Sequence, residues 1–158
     1  MKKRGNWKVL LFSIIIVYLV AFIGSIFTAP NTKTAWYESI KPFITPPNWV
    51  FPIVWSVLFL LIALSLYFAW IDSKNQKAKN KIAVVFGINF FLNISWSVLY
   101  FGLKDLTLAF FEIILLWASI LLMLSVVKKT SKKSFWILIP YLLWVAFAGL
   151  LNYLSVFR

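Results

Sequence analysis

Apolar residues in this chain come in five long runs, at about 9–27, 50–71, 82–103, 106–127 and 134–157, separated by polar or charged breaks. A hydrocarbon core about 30 Å thick takes roughly 20 helical residues to cross, and each run is long enough. In lipid every backbone N–H and C=O must be paired internally, which leaves helices and closed barrels. Continuous apolar runs, rather than alternation of apolar and polar residues, select the helix. The pattern predicts an all-α integral membrane protein, a five-transmembrane-helix bundle forming a single domain over residues 1–158.

Composition narrows the chemistry. The chain is 63% hydrophobic and 13% charged with a mean hydropathy of +0.91, which leaves no room for a separate soluble domain among its 158 residues. It contains no histidine and no cysteine, so a Ser/His/Asp or Cys/His nucleophile system and a thiolate or imidazole metal or haem site are excluded. Four acidic residues are too few for a carboxylate metal cage. Neither a metal site nor a required cofactor is expected.

A net charge of +12 raises the question of nucleic acid, and the placement of the cations answers it. Lys2, Lys3, Arg4 and Lys8 precede the first run, Lys74, Lys77, Lys79 and Lys81 follow the second, and Lys128, Lys129, Lys132 and Lys133 follow the fourth. Only Lys33, Lys41, Lys104 and Arg158 fall on the other side. The positive-inside rule reads that asymmetry as a cytoplasmic N-terminus and an outside C-terminus; a bacterial cell membrane is the expected setting. The basic clusters then meet anionic lipid, and no nucleic-acid partner is expected. The basic start before an apolar run also resembles a signal peptide, but nineteen apolar residues exceed a typical h-region, so a retained first helix is expected.

The connections are unequal. Residues 72–81 and 128–133 are short cytoplasmic links, and Lys104 and Asp105 form a tight outer hairpin. Residues 28–49 are longer, with Pro30, Pro42, Pro46 and Pro47 interleaved with Trp36, Tyr37, Phe43 and Trp49. The prolines are expected to stiffen this loop against helix and strand alike, and the aromatic content argues against disorder. Loops this long in compact proteins commonly carry function.

Trp7, Trp49, Trp70 and Trp136 lie at the ends of runs, where an aromatic belt at the headgroup level accounts for them. Trp55, Trp96, Trp117 and Trp144 lie deeper. Polar residues accompany them: Asn89, Asn93, Ser95 and Ser97 in the third run, Glu112 in the fourth and Asn152 in the fifth. Helical spacing sets Asn93, Trp96 and Ser97 on one face, as it does Trp144, Ala148 and Asn152, and Trp55 with Phe59. One interpretation is interhelical hydrogen bonding with ordinary aromatic packing. The other is a mostly apolar ligand cavity with a few polar fixers, roofed by the proline-rich loop. Glu112 likewise reads as a functional intramembrane carboxyl or as a neutral glutamic acid paired with an asparagine.

The motif from Trp36-Tyr37 through Lys41-Pro42 and Thr45-Pro46-Pro47-Asn48-Trp49-Val50-Phe51-Pro52-Ile53-Val54-Trp55 strongly resembles the signature of the TspO/MBR family, the tryptophan-rich sensory and translocator (peripheral benzodiazepine receptor) proteins. Asn93, Trp96 and Phe101-Gly102 resemble its third-helix motif. Pro140-Tyr141, Trp144, Phe147-Ala148 and Leu151-Asn152-Tyr153 resemble its fifth. The resemblance implies a homodimeric five-helix receptor for porphyrins such as protoporphyrin IX, for sterols and for benzodiazepine-type or isoquinoline-carboxamide drugs, bound under the first loop. With the residue patterns above, it points to Trp36, Tyr37, Pro46, Pro47, Trp55, Phe59, Asn93, Trp96, Phe101, Glu112, Trp144, Ala148 and Leu151 as ligand-binding residues. It also implies an alternative, a light- and oxygen-dependent porphyrin-degrading enzyme in which Trp55 and Trp144 are the catalytic residues. Leu108 stands where some animal members have tryptophan, so drug affinities do not transfer.

Leu151, Tyr153 and Arg158 satisfy the family's loose sterol motif, a weak pattern. Two small-xxx-small pairs permit close helix approach, Ala21 with Ser25 on the first helix and Ala83 with Gly87 on the third. The resemblance favours the third helix as the homodimer seam.

Overall fold

The structure is a computed structural model that describes residues 6–157. Its elements in chain order are α1 (Trp7–Thr28), the short α2 (Ala35–Ile40), α3 (Val50–Asp72), α4 (Gln76–Ser97) with a π-helical continuation (Val98–Gly102), α5 (Leu106–Lys128) and α6 (Lys132–Val156). Among the described residues, α1, α3, α4 with its continuation, α5 and α6 are the five helices long and apolar enough to cross a membrane, and there is no strand.

The helices begin where the chain supplies caps. The Asn6 side chain accepts from the amides of Lys8 and Val9, Asn75 from that of Ala78, Asp105 from that of Leu108 and Ser131 from that of Ser134. Each pairs backbone donors that the first helical turn leaves orphaned. These caps explain why α4 starts six residues before the apolar run and α6 two before it: hydropathy ends where lysines begin, but the backbone keeps propagating to the cap.

The 28–49 connection departs from expectation in holding a helix. Its prolines lie outside 31–41, so nothing interrupts α2, and Thr34 Oγ1 caps it by accepting from the Tyr37 amide at 3.3 Å. Trp36 and Tyr37 lie against Phe101 at ring-centroid distances of 6.3 and 5.7 Å, and Trp36 meets Tyr100 at 6.2 Å. Lys104 Nζ sits 5.1 Å from the centre of the Trp36 ring. This aromatic cluster fastens the loop to the ends of the spanning helices.

The π turn carries two members of that cluster. The Leu103 amide reaches back five residues to the Val98 carbonyl at 2.7 Å, and the widened turn leaves consecutive Tyr100 and Phe101 both buried. Close approach elsewhere depends on glycine. A Cβ on Gly24 of α1 would stand 3.2 Å from Ser97 Oγ of α4, and one on Gly102 would stand 3.0 Å from Phe27.

The core runs down the bundle through Val17, Ile62, Phe86, Ile120, Leu138 and Tyr141. Two pairs of polar residues inside it join across helices, as expected where water is absent. Ser65 and Ser134 join α3 to α6 at 2.6 Å, and Asn89 Nδ2 donates to Ser119 Oγ at 2.9 Å between α4 and α5.

Candidate ligand-binding site

Under the 28–49 loop the five spanning helices part around a cavity of about 600 Å³. Every spanning helix contributes to its wall: Gly24 from α1, Trp55 and Phe59 from α3, Asn93 and Trp96 from α4, Ile113 and Leu116 from α5, and Ala148 and Leu151 from α6. Tyr37, Thr45, Asn48 and Trp49 close it from the loop. The volume lies inside the range of small-molecule sites, and the wall is apolar and aromatic with a few polar groups.

Those polar groups are held in place. Asn93 Nδ2 donates to the Tyr141 hydroxyl at 3.1 Å, and that hydroxyl donates to Asn89 Oδ1 at 3.2 Å, which ties the cavity wall to the Asn89–Ser119 pair. Trp96 Nε1 donates to Asn152 Oδ1 at 3.2 Å, while Asn152 Nδ2 donates to the Leu106 carbonyl at 3.0 Å. The Trp96 ring stacks on Tyr100 at 4.9 Å. Trp55 is braced by Phe59 at 5.5 Å and by Tyr141 at 6.4 Å. Fixed aromatic faces of this kind bind a flat apolar ligand with little further loss of side-chain freedom.

At the roof, Glu38 pairs with Lys41 and accepts from Asn48 Nδ2 at 3.2 Å. The hydrogen bond from Lys41, then that from Asn48, holds the exposed Glu38 carboxyl below its ordinary range. Burial pushes the Tyr37 phenol up to about 12, so it stays neutral. Lys33 and Lys41 both border the cavity at this end.

Of the residues singled out from sequence, the structure brings Tyr37, Trp55, Phe59, Asn93, Trp96, Phe101, Ala148 and Leu151 together on the cavity wall. Trp36, Pro46, Pro47, Glu112 and Trp144 are not part of that wall. Trp36 instead packs on Tyr100 and Phe101 as the anchor of α2. Pro46 and Pro47 shape the turn between the wall residues Thr45 and Asn48. Trp144 lies edge-on to the wall residue Phe51 at 6.0 Å, one layer back. Glu112 is buried in α5, yet neither of its carboxyl oxygens has a protein hydrogen-bond partner, so the expected pairing with an asparagine is absent. The asparagines took other partners: Asn89 bonds Ser119 and Tyr141, and Asn152 bonds Trp96 and Leu106.

The sterol motif does not form one surface among the described residues. Leu151 is buried at the cavity, whereas Tyr153, two residues on, is 45% exposed beside Phe110 and Phe157. Arg158 lies outside the described residues. Sequence reasoning also missed wall residues. Trp49 was assigned to the interfacial belt and is 66% exposed, but it borders the cavity as well. Thr45 and Asn48 passed as loop residues; their place beside the proline pair was the available signal.

Residues 13–157 match the TspO/MBR family. The chain belongs to that family. Among its TspO/MBR relatives, it is 38% identical over 144 residues to the tryptophan-rich protein TspO of Archaeoglobus fulgidus, covering 89% of this chain and 90% of the other. It is 37% identical over 145 residues to the TspO of Bacillus cereus, covering 89% and 92%. It is 30% identical over 140 residues to the translocator protein of Bos taurus, covering 85% and 80%. TspO/MBR membership and the five apolar helices together make this an integral multi-pass membrane protein, with a membrane receptor or sensor role.

Proposed function

We propose that this protein is a receptor for flat hydrophobic ligands, chiefly metal-free porphyrins such as protoporphyrin IX, with benzodiazepine-type drugs and sterols as further ligands. The observation that carries this reading is the aromatic-walled cavity of about 600 Å³ under the loop, with Trp55, Phe59 and Trp96 on its wall. Asn93 supplies a polar contact at the wall, and Lys33 at the roof suits an acidic substituent. With no histidine or cysteine in the chain, the ligand is held by stacking and burial rather than by axial ligation of a metal. The N-terminus is cytoplasmic, the loop and C-terminus are outside, and the protein is a homodimer through α4. Titration of the purified protein in lipid nanodiscs with protoporphyrin IX, read by tryptophan quenching, tests the reading. Saturable quenching that Trp55→Leu weakens supports it, and the absence of saturable quenching ends it.

Light- and oxygen-dependent degradation of the bound porphyrin is the second reading. Trp55 on the cavity wall favours it, because an indole beside an excited porphyrin is an oxidisable neighbour. Trp144, the other catalytic candidate, is separated from the cavity by Phe51 and is the weaker partner. Absorbance decay measured in darkness, under argon and in illuminated air decides: loss confined to illuminated air, and reduced by Trp55→Phe, supports degradation.

A further inference from the structure

Thr45 and Asn48 stand on the cavity wall three residues apart, in the turn that leads into α3. The Asn48 amide is held in one orientation, because Nδ2 donates to the Thr32 carbonyl at 3.0 Å and to Glu38 at 3.2 Å. Both amide hydrogens are thereby used, and turning the group over would set its oxygen against a carbonyl and a carboxylate. Asn48 Oδ1 is buried and meets no hydrogen-bond donor of the protein, and Thr45 Oγ1 is buried and equally unpaired. Buried polar atoms left in this state are uncommon and call for a partner.

We infer that Asn48 Oδ1 and Thr45 Oγ1 form a polar subsite in the roof of the cavity for a neutral donor–acceptor edge on the ligand: a primary or secondary carboxamide, a lactam, or a protonated carboxylic acid. The ligand's N–H or O–H donates to Asn48 Oδ1, and the Thr45 hydroxyl donates to the ligand's carbonyl. An ionised carboxylate brings no hydrogen to the asparagine oxygen, and Lys41 beside it is already paired with Glu38. Trp55, Phe59 and Trp96 below take the attached ring system. The subsite deepens the receptor reading and rests on it only in requiring that the cavity hold a ligand.

The test uses probes independent of porphyrin: pyrene, pyrene-1-carboxamide and N,N-dimethylpyrene-1-carboxamide. Binding is read as tryptophan-to-pyrene energy transfer in nanodiscs, with empty discs subtracted. The wild-type protein should bind the primary amide about tenfold more tightly than the dimethyl amide, as one buried hydrogen bond implies. Thr45→Val should weaken both amides about threefold to tenfold and leave pyrene unchanged, while Thr45→Ser restores wild-type values. Asn48→Leu should erase the preference for the primary amide, a ratio that survives a general loosening of the loop. Equal binding of the three probes to wild type, no binding of any, or amide affinities in Thr45→Val equal to those of wild type overturns the subsite. Protoporphyrin IX titrated in parallel separates the two claims. Amide preference without porphyrin binding keeps the subsite and removes the porphyrin reading, and porphyrin binding without amide preference does the reverse.

Discussion

Asn93 and Tyr141, on different helices and 48 residues apart in sequence, meet through a 3.1 Å hydrogen bond that fixes the Asn93 amide on the cavity wall. Tyr141→Phe keeps the ring against Trp55 and removes only the hydroxyl, leaving Asn93 Nδ2 and Asn89 Oδ1 without it. The expected cost is about 1–2 kcal/mol, at the upper end for a hydrogen bond between membrane helices because two buried groups lose their partner together. Thermal unfolding in detergent should show a lower midpoint, and porphyrin affinity should fall with it because Asn93 is freed to turn. A midpoint equal to wild type would mean that the two amides find other partners at no loss.

The two tryptophans that the sequence treats alike should behave differently. Trp55 is on the wall and Trp144 stands behind Phe51. Trp55→Leu should weaken protoporphyrin IX binding by roughly 0.5–1.5 kcal/mol, about twofold to twelvefold, which is the loss of one aromatic contact. Trp144→Leu should change the dissociation constant less than half as much on that logarithmic scale, acting only through the seating of Phe51. Equal effects would show that Phe51 moves aside and that the ligand reaches Trp144.

What was legible in the sequence, and what was not, follows from the range of the interactions. Five runs of apolar residues declare five spans, because the thickness of the hydrocarbon core acts on each run separately. The face carrying Asn93, Trp96 and Ser97 was legible for the same reason, since helical periodicity is local. The π turn at 98–102, in which Tyr100 and Phe101 are both buried, has no comparable signal. Glu112 was read as a cavity residue from depth, which does not fix rotation about the helix axis; Trp144 was read from its face with Ala148 and Asn152, and the structure puts those two, but not Trp144, on the wall. The rotation of α5 presents Ile113 and Leu116 to the cavity in place of Glu112.

Acid should loosen the roof of the site. The Glu38 carboxyl is held below its ordinary range by Lys41 and Asn48, so its folded form binds protons less readily than the free side chain does. Its contribution is therefore present above the usual glutamate value of about 4.3 and is lost as pH falls through the lower folded value. Hydrogen–deuterium exchange across residues 31–49, corrected for the intrinsic pH dependence of amide exchange, should show lower protection in the wild type below about pH 4. Glu38→Gln should exchange at the faster rate already at neutral pH and show little further change on acidification. If both proteins exchange alike throughout, the ion pair does not hold the loop.

The small-residue pairs now separate by direction. Ala21 and Ser25 on α1 border the cavity, whereas Ala83 and Gly87 on α4 are exposed, and a Cβ built on Gly87 meets no atom within 4 Å. A larger side chain at 87 therefore collides with nothing inside the protomer. That makes Gly87→Leu a clean probe of a seam between two copies, where a leucine on each protomer would push the backbones apart and forfeit close packing. Detergent-solubilised Gly87→Leu is expected to shift toward monomer in light scattering or cross-linking, with porphyrin binding and thermal midpoint close to wild type. Gly24→Leu is the matched control, because its Cβ would already stand 3.2 Å from Ser97 Oγ at the cavity wall. It should cost stability and binding without a specific loss of dimer. A Gly87→Leu protein that stays dimeric, with cross-links forming instead between residues on α1, would move the seam to the first helix.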